Sequence, residues 1–167
     1  METFEMISSI ATAASAIFAA IALLHTCKSA RRTEENERKS RTIEAYMKLQ
    51  QEVLDPLVHF SKKDAELIVE NMNENEKSKD AYDDARTMLA RCECFAVALQ
   101  EEVYDFRILY EISGNHLQHV YKKIEPILIA VRGRAGDEKP YEAFENLCDR
   151  IDQEYRKEKQ RHETDRL

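Results

Sequence analysis

The sequence predicts an all-α protein in which one N-terminal transmembrane helix is followed by a small cytoplasmic helical bundle. The chain of 167 residues has the length of a single domain. Its 3 glycines and 3 prolines are too few for the turns of a β-sandwich or barrel. Charged residues make up 34% of the chain, which suits exposed helix faces, and the net charge of −7 argues against general nucleic-acid binding.

The predicted membrane span is the uncharged stretch of residues 6–27. As a helix, these 22 residues would be about 33 Å long, enough to cross a hydrocarbon core of about 30 Å. Lys28, Arg31 and Arg32 follow at once, so the positive-inside rule places residues 1–5 outside and the rest of the chain in the cytoplasm. A cleaved signal peptide requires a basic residue before its apolar run, and no Lys or Arg precedes this one. The sequence therefore predicts a single-pass protein of a bacterial inner membrane.

One face of this span carries small and hydroxyl-bearing side chains at helical spacing. These seam residues are Ser8, Thr12, Ser15, Ala19, Ala22 and Thr26. Small residues permit close backbone approach between membrane helices, and hydroxyl groups can form hydrogen bonds between them. The seam predicts a packing face in a homo-oligomer, and two alternatives stay open: the lining of a narrow pore in a ring of four or more copies, or a plain anchor.

The rest of the chain is predicted to be helical, without convincing strands. Residues 28–55 form a juxtamembrane basic helix, residues 56–160 the bundle and residues 161–167 a charged tail. The breaks between helices are predicted from turn formers and polar runs, with Pro126 as a kink and Pro140 in the first turn of the last helix. The predicted helices of the bundle cover residues 57–72, 79–103 (with Ser78 as N-cap), 105–112, 116–131 and 140–156, with a loop at 133–136.

Several motifs between residues 85 and 150 resemble a known family. They read Ala-Arg-Cys-Glu-Cys-Phe-Ala-Val-Ala at 90–98, Val-Tyr-Asp at 103–105, Gly-Asn-His-Leu at 114–117, Ile-Glu-Pro-Ile at 124–127 with Arg132, and Tyr-Glu-Ala-Phe-Glu-Asn-Leu at 141–147. This set resembles the bacterial family catalogued as domain of unknown function forty-seven sixty. The resemblance implies a membrane helix joined to a cytoplasmic helical domain, and it brings no settled activity. Small bacterial proteins of similar layout often look like membrane effectors in phage-defence operons.

Residues that carry catalytic or metal chemistry elsewhere are scattered in this sequence. Cys92 and Cys94 point apart on a helix, and their spacing is too short for a usual zinc pair. His116 and His119 could hold a metal with Glu111, but no metalloprotease-like frame surrounds them. We therefore predict no enzyme activity, no catalytic residue, no metal site and no cofactor.

Two basic clusters are the candidates for binding anionic lipid or a small anionic ligand. Lys28, Arg31 and Arg32 suit an anionic inner leaflet. The second cluster lies in the predicted loop, where arginine could recognise phosphate with two parallel hydrogen bonds or could instead pair with nearby acids. This cluster consists of Arg132, Arg134 and Lys139.

Two functions follow as hypotheses. The first is a homo-oligomeric membrane effector, a pore or membrane-disrupting protein of antiviral defence that a ligand or partner activates through the bundle. The second is a membrane-tethered adaptor whose bundle recruits a soluble partner protein. Their expected partners are membrane lipid, further copies of this chain, and a small anionic ligand or a soluble protein.

Overall fold

The computed structural model describes the backbone of residues 2–57, 59–113, 115–137 and 139–164, and within these ranges the side chains from Ile21 onward. The described residues are helical and contain no strand, so the predicted all-α class is confirmed. The helices are α1 (Glu2–Leu49), a π-helix (Gln50–Leu54), α2 (Lys62–Asn71), α3 (Glu76–Gln100), α4 (Phe106–Ser113), α5 (His116–Ala135) and α6 (Glu142–Thr164).

The chain divides into two compact units, Met1–Arg38 and Lys39–Leu167. In the first unit, every described side chain from Ile21 to Glu37 is exposed. Among the residues open to description, no helix is long and apolar enough to cross a membrane. This finding does not support the predicted transmembrane helix of residues 6–27, and the side chains of its residues 6–20 lie outside the described ones.

The second unit begins seventeen residues before the bundle predicted to start at residue 56. The difference has a physical cause, because the end of α1 and the π-helix place Tyr46, Leu49, Val53 and Leu54 in the core. Residues 39–55, which the sequence analysis assigned to the juxtamembrane helix, therefore pack with the bundle. Burial of such side chains from water is the main favourable contribution to folding.

Helix starts in the bundle are set by side-chain caps. Ser61 and Asp64 form a reciprocal capping box at the start of α2. Asn75 accepts a hydrogen bond from the backbone N–H of Lys77, so α3 begins before the predicted cap Ser78. Asp105 accepts hydrogen bonds from the N–H groups of the first turn of α4.

The ends of α5 and α6 differ from the prediction. The helix α5 includes Pro126, as expected, but it continues to Ala135 through the predicted loop at 133–136. Gly136 ends it in the left-handed conformation (φ 64°) that glycine adopts without a steric penalty. Pro140 lies just before α6, which begins at Glu142. The last helix was predicted to end at residue 156, but α6 continues to Thr164.

Candidate functional site

A groove between α4 and the second half of α6 is the candidate site. It has a volume of about 790 Å³, within the range of small-molecule sites. We call it the α4–α6 groove. Its aromatic and polar lining includes Phe106, Tyr110, Asn115, Arg150, Tyr155 and Arg161.

The aromatic part of the α4–α6 groove is an ordered stack. The rings of Phe106 and Tyr110 have centroids 6.3 Å apart and an interplanar angle of 27°. The guanidinium carbon of Arg150 lies 3.6 Å from the centroid of Phe106. Arginine favours such stacking because its planar cation is weakly hydrated and is attracted to the ring face. Tyr155 is 48% exposed, so a large part of its surface is open to a ligand.

The acids of the α4–α6 groove all have partners. Arg107 donates to Glu111 over 3.1 Å, and Lys157 donates to Glu154 over 2.7 Å. The hydrogen bond from Lys157 holds the pKa of Glu154 below its ordinary range.

The third acid of the groove, Glu158, accepts the phenol hydrogen bond of Tyr110 over 2.8 Å. Partial burial and this bond raise the pKa of Tyr110 to about 12, so its hydroxyl stays protonated and remains the donor at neutral pH.

Three polar groups of the α4–α6 groove remain available. Arg150 and Arg161 form no ion pair or side-chain hydrogen bond within the part of the chain that the structure describes. The amide oxygen of Asn115 is buried and accepts no hydrogen bond from a described residue. The open chemistry of the groove is therefore two cations and one acceptor beside aromatic rings.

A second groove, of about 650 Å³, lies between α3 and the end of α1 with the π-helix. Arg91 and Glu52 close part of it with an ion pair of 2.6 Å. Cys94 is exposed on its wall, and Phe95 stacks on Tyr104 with ring centroids 5.3 Å apart. Because its Arg91 is already paired, this groove offers less to a charged ligand than the α4–α6 groove does.

The arginines predicted to bind an anion near residue 134 are engaged within the bundle. Arg132 donates to the Pro140 carbonyl over 3.1 Å and to the Glu145 carboxylate over 2.8 Å. Arg134 donates to the Asn73 side chain over 2.8 Å and lies 5.2 Å from the centroid of the Tyr82 ring. Lys139 is exposed. The predicted alternative, pairing with a nearby acid, describes Arg132, and anion binding by Arg134 and Lys139 stays a prediction.

Two of the motifs that suggested the family, at 90–98 and 141–147, meet with Arg132 at the start of α6. Glu93 accepts hydrogen bonds from the backbone N–H groups of Ala143 (3.1 Å) and Phe144 (2.8 Å), which caps the helix from α3. Glu145 accepts from both Arg132 and the Tyr121 hydroxyl (2.9 Å). The bond from Arg132 lowers the pKa of Glu145, whereas burial raises the pKa of Tyr121. We call Glu93, Tyr121, Arg132 and Glu145 the motif cluster.

The residues predicted at the membrane have few described contacts. The side chains of Ser8, Thr12, Ser15 and Ala19 lie outside the described ones. Ala22 and Thr26 are exposed, and the Thr26 hydroxyl donates to the Ala22 carbonyl over 2.9 Å. Lys28, Arg31 and Arg32 are exposed as well. The structure thus leaves the seam and the first basic cluster as predictions.

The scattered cysteines and histidines do not assemble into a metal site. In the described ranges, no group of three or more His, Cys, Asp and Glu side chains could hold a metal ion. Cys92 is buried, which raises the pKa of its thiol to about 12, and Cys94 is exposed on the other side of α3. The divergence expected from their spacing is therefore observed.

The α4–α6 groove was not among the sites predicted from the sequence. The sequence signal was present in two spacings: Tyr110 is four positions after Phe106, and Arg161 is eleven positions after Arg150, and each spacing keeps both side chains on one helix face. The spacing of residues along a helix shows which side chains share a face, but it does not show which element packs against that face.

The family model described as Domain of unknown function (DUF4760) matches residues 9–151. This chain belongs to that family. The match includes the motif cluster and most of the α4–α6 groove, whereas Tyr155 and Arg161 follow it. No curated protein and no solved structure matches the chain.

Proposed function

We propose that this member of the family is a single-pass protein of the bacterial inner membrane, a homo-oligomeric effector that its cytoplasmic bundle activates. The observation that carries the membrane part is the uncharged run of residues 6–27 with Lys28, Arg31 and Arg32 directly after it. The exposure of these three basic side chains is consistent with contact to anionic lipid.

The seam is the proposed contact between copies. Lipid tails are as apolar as the helices, so association in a membrane relies on close packing and hydrogen bonds between helices. A ring of four or more copies would enclose a path lined by the small and hydroxyl-bearing face, whereas a dimer would not. We propose a pore or membrane-disrupting effector of antiviral defence, which rests on the layout shared with small bacterial effectors and is fold-level analogy.

The bundle supplies the recognition step in this proposal. The α4–α6 groove supports it, because two cationic side chains beside aromatic rings remain available to a bound molecule. We propose that the bundle binds rather than catalyses a reaction. The aromatic, cationic and amide side chains of the groove can hold and orient a ligand.

The first experiment measures membrane insertion and oligomeric mass of the full chain. We expect the chain to resist carbonate extraction from membranes and to purify in mild detergent as a ring of at least four copies, after correction for bound detergent. Release by carbonate would contradict the membrane proposal. A monomer or dimer in several mild detergents would contradict the pore.

Seam variants test the oligomer against a matched control. Thr12→Leu and Ser15→Leu place bulk on the seam, and Ala14→Leu places the same bulk on another face of the span. We expect the first two to reduce oligomeric mass and ion flux in liposomes while Ala14→Leu leaves both unchanged. If all three variants had the same oligomeric mass and ion flux, the seam would not be the contact between copies.

The second candidate, a membrane-tethered adaptor, is favoured by the presence of two grooves on the bundle. Under this function the span acts only as an anchor. Replacing residues 6–27 with an unrelated membrane span should then preserve protection of cells against phage. Loss of protection with preserved membrane insertion would favour the effector instead.

A further inference from the structure

We propose that the α4–α6 groove binds a nucleotide, a planar base joined through a sugar to phosphate. This inference deepens the proposed function, because it names the class of ligand that would activate the effector. The effect of binding on the membrane rests on that proposed function. Binding itself depends only on groove residues from α4, α6 and the turn before α5.

The planar part of the ligand is indicated by the stack of Phe106, Tyr110 and Arg150. The guanidinium at 3.6 Å from the Phe106 centroid presents its second face away from the ring, and Tyr155 presents an exposed aromatic surface nearby. Bases stack on both aromatic rings and arginine planes. A wholly apolar ligand would instead strip water from the charged groups of the same groove.

The phosphate part is indicated by Arg150 and Arg161, which attract the Glu154 carboxylate but form no ion pair or side-chain hydrogen bond with a described residue. Arg150 and Arg161 each offer a fork of N–H donors that matches phosphate oxygens. Eleven residues of α-helix separate them by about 16 Å along α6. A base stacked on Arg150 and a phosphate chain extending toward Arg161 would use this length of the groove.

The acids at the groove do not prevent an anion from binding. Glu111 and Glu154 are paired with Arg107 and Lys157, which offset their charge. Glu158 is occupied by the Tyr110 hydroxyl. Glu158 keeps its negative charge, so the preference for an anion rests on the N–H groups of Arg150 and Arg161, which donate to no acceptor among the described residues.

Asn115 lines the groove, and a rotation of its side chain would present the buried amide oxygen to one edge of the base. This acceptor is without a donor in the described part of the chain. An exocyclic amino group, as in adenine, would supply one, and asparagine is a common reader of adenine. Leaving a buried polar group unsatisfied is unfavourable, so we expect ATP to bind more tightly than UTP, which lacks that amino group.

The test is isothermal titration calorimetry of the full chain in mild detergent, with ATP as the probe. We expect saturable binding with one ATP per chain, weaker binding of UTP, and still weaker binding of adenosine and of tripolyphosphate, each of which carries half of the ligand. Arg150→Gln and Arg161→Gln should each weaken ATP binding about tenfold, the effect of one charge-assisted contact.

Arg156→Gln is the matched control, because Arg156 is also on α6, is 75% exposed and pairs with Asp152 outside the groove. It should leave the affinity for ATP unchanged. Circular dichroism of every variant verifies that α6 is folded, and Phe106→Leu provides a second variant that retains all charges while removing the stacking ring. We expect weaker ATP binding by this variant as well.

Three results would overturn the proposal. They are the absence of saturable ATP binding, equal binding of tripolyphosphate and ATP, and unchanged ATP affinity in both Arg150→Gln and Phe106→Leu. Because none of these readouts involves membrane flux or protection against phage, failure here is distinguishable from failure of the proposed effector.

Discussion

Two regions of the bundle are built around arginine and use it in opposite ways. In the motif cluster, Arg132 donates to the chain before α6 and to the Glu145 carboxylate. In the α4–α6 groove, Arg150 lies over the Phe106 ring with its N–H groups directed to no described acceptor. The first region uses its cation to join helices, whereas the cations of the second form no ion pair with a described residue.

Burial explains this difference. The side chain of Arg132 is 18% exposed, and a cation so enclosed needs hydrogen-bonding partners to offset its lost hydration. Arg150 is exposed and keeps its contact with water. A basic cluster in a sequence therefore indicates a binding site only where the fold leaves the cations without internal partners. Substitutions in the motif cluster and in the groove test this difference, because they should change the free energy of unfolding by different amounts.

The largest expected effect comes from the core beneath the motif cluster. Phe144 is fully buried and meets Tyr121 edge-on, with ring centroids 5.8 Å apart. Phe144→Ala should lower the free energy of unfolding by about 3–5 kcal/mol, because it removes buried surface and leaves a cavity. Urea denaturation followed by circular dichroism measures this. Tyr155→Ala, in the groove, should change the free energy of unfolding by about 0.5 kcal/mol or less. Similar losses in both variants would contradict the difference between the two regions.

The next effect tests the cap that α3 provides for α6. Glu93→Ala removes the acceptor of the Ala143 and Phe144 N–H groups and the favourable charge at a helix N-terminus. The free energy of unfolding should fall by about 2 kcal/mol in urea denaturation. Glu101→Ala, an exposed acid at the end of the same helix, is the control and should be nearly neutral. Equal effects would mean that Glu93 acts only through net charge.

The helices of the bundle could be predicted because their apolar spacing is regular. In α3, the 3-4-3-4 spacing predicts a core stripe of Ala85, Met88, Cys92, Phe95 and Leu99, and all of these are buried except Met88, which is partly buried. The caps were harder to place, since a polar run such as residues 71–78 contains more than one residue that can cap a helix. Asn75 rather than Ser78 begins α3, because its side chain reaches the Lys77 N–H.

The groove could not be predicted, and Tyr155 shows why. Its spacing from Cys148 and Ile151 predicts a core position, yet it is 48% exposed while those two are buried. A stripe identifies the inward face of a helix but not where the neighbouring helix ends. The contacts of Arg132 and Arg150 likewise depend on other helices, since Arg132 of α5 donates to Glu145 of α6 and Arg150 of α6 lies over Phe106 of α4.

A smaller effect is the acid sensitivity of the motif cluster. The hydrogen bond from Arg132 holds the pKa of Glu145 below its ordinary value of 4.5. A carboxylate with a lowered folded-state pKa stabilises the protein above its unfolded-state pKa, and this contribution is lost as the pH falls through the folded-state pKa. Because Glu145 is partly exposed, solvent screening limits the contribution to about 1 kcal/mol.

Arg132→Gln should therefore lower the free energy of unfolding by about 1 kcal/mol at pH 7 and reduce its decline between about pH 5 and 3. Urea denaturation at a series of pH values measures both quantities. Arg134→Gln is the control, since the Asn73 and Tyr82 contacts of Arg134 do not include Glu145. If the free energy of unfolding of Arg132→Gln fell at low pH as steeply as that of the unsubstituted protein, the Arg132–Glu145 pair would not be the source of the pH dependence.

The smallest stability effect should occur where we expect the largest effect on binding. Arg150→Gln removes one exposed cation–π contact with Phe106, which contributes about 0.5–1 kcal/mol at such a site. A fall in the free energy of unfolding much larger than this would place Arg150 with Arg132 as a structural residue. Near-neutral stability together with weakened ATP binding would separate the two regions, because a side chain kept for a ligand contributes little to the fold that holds it.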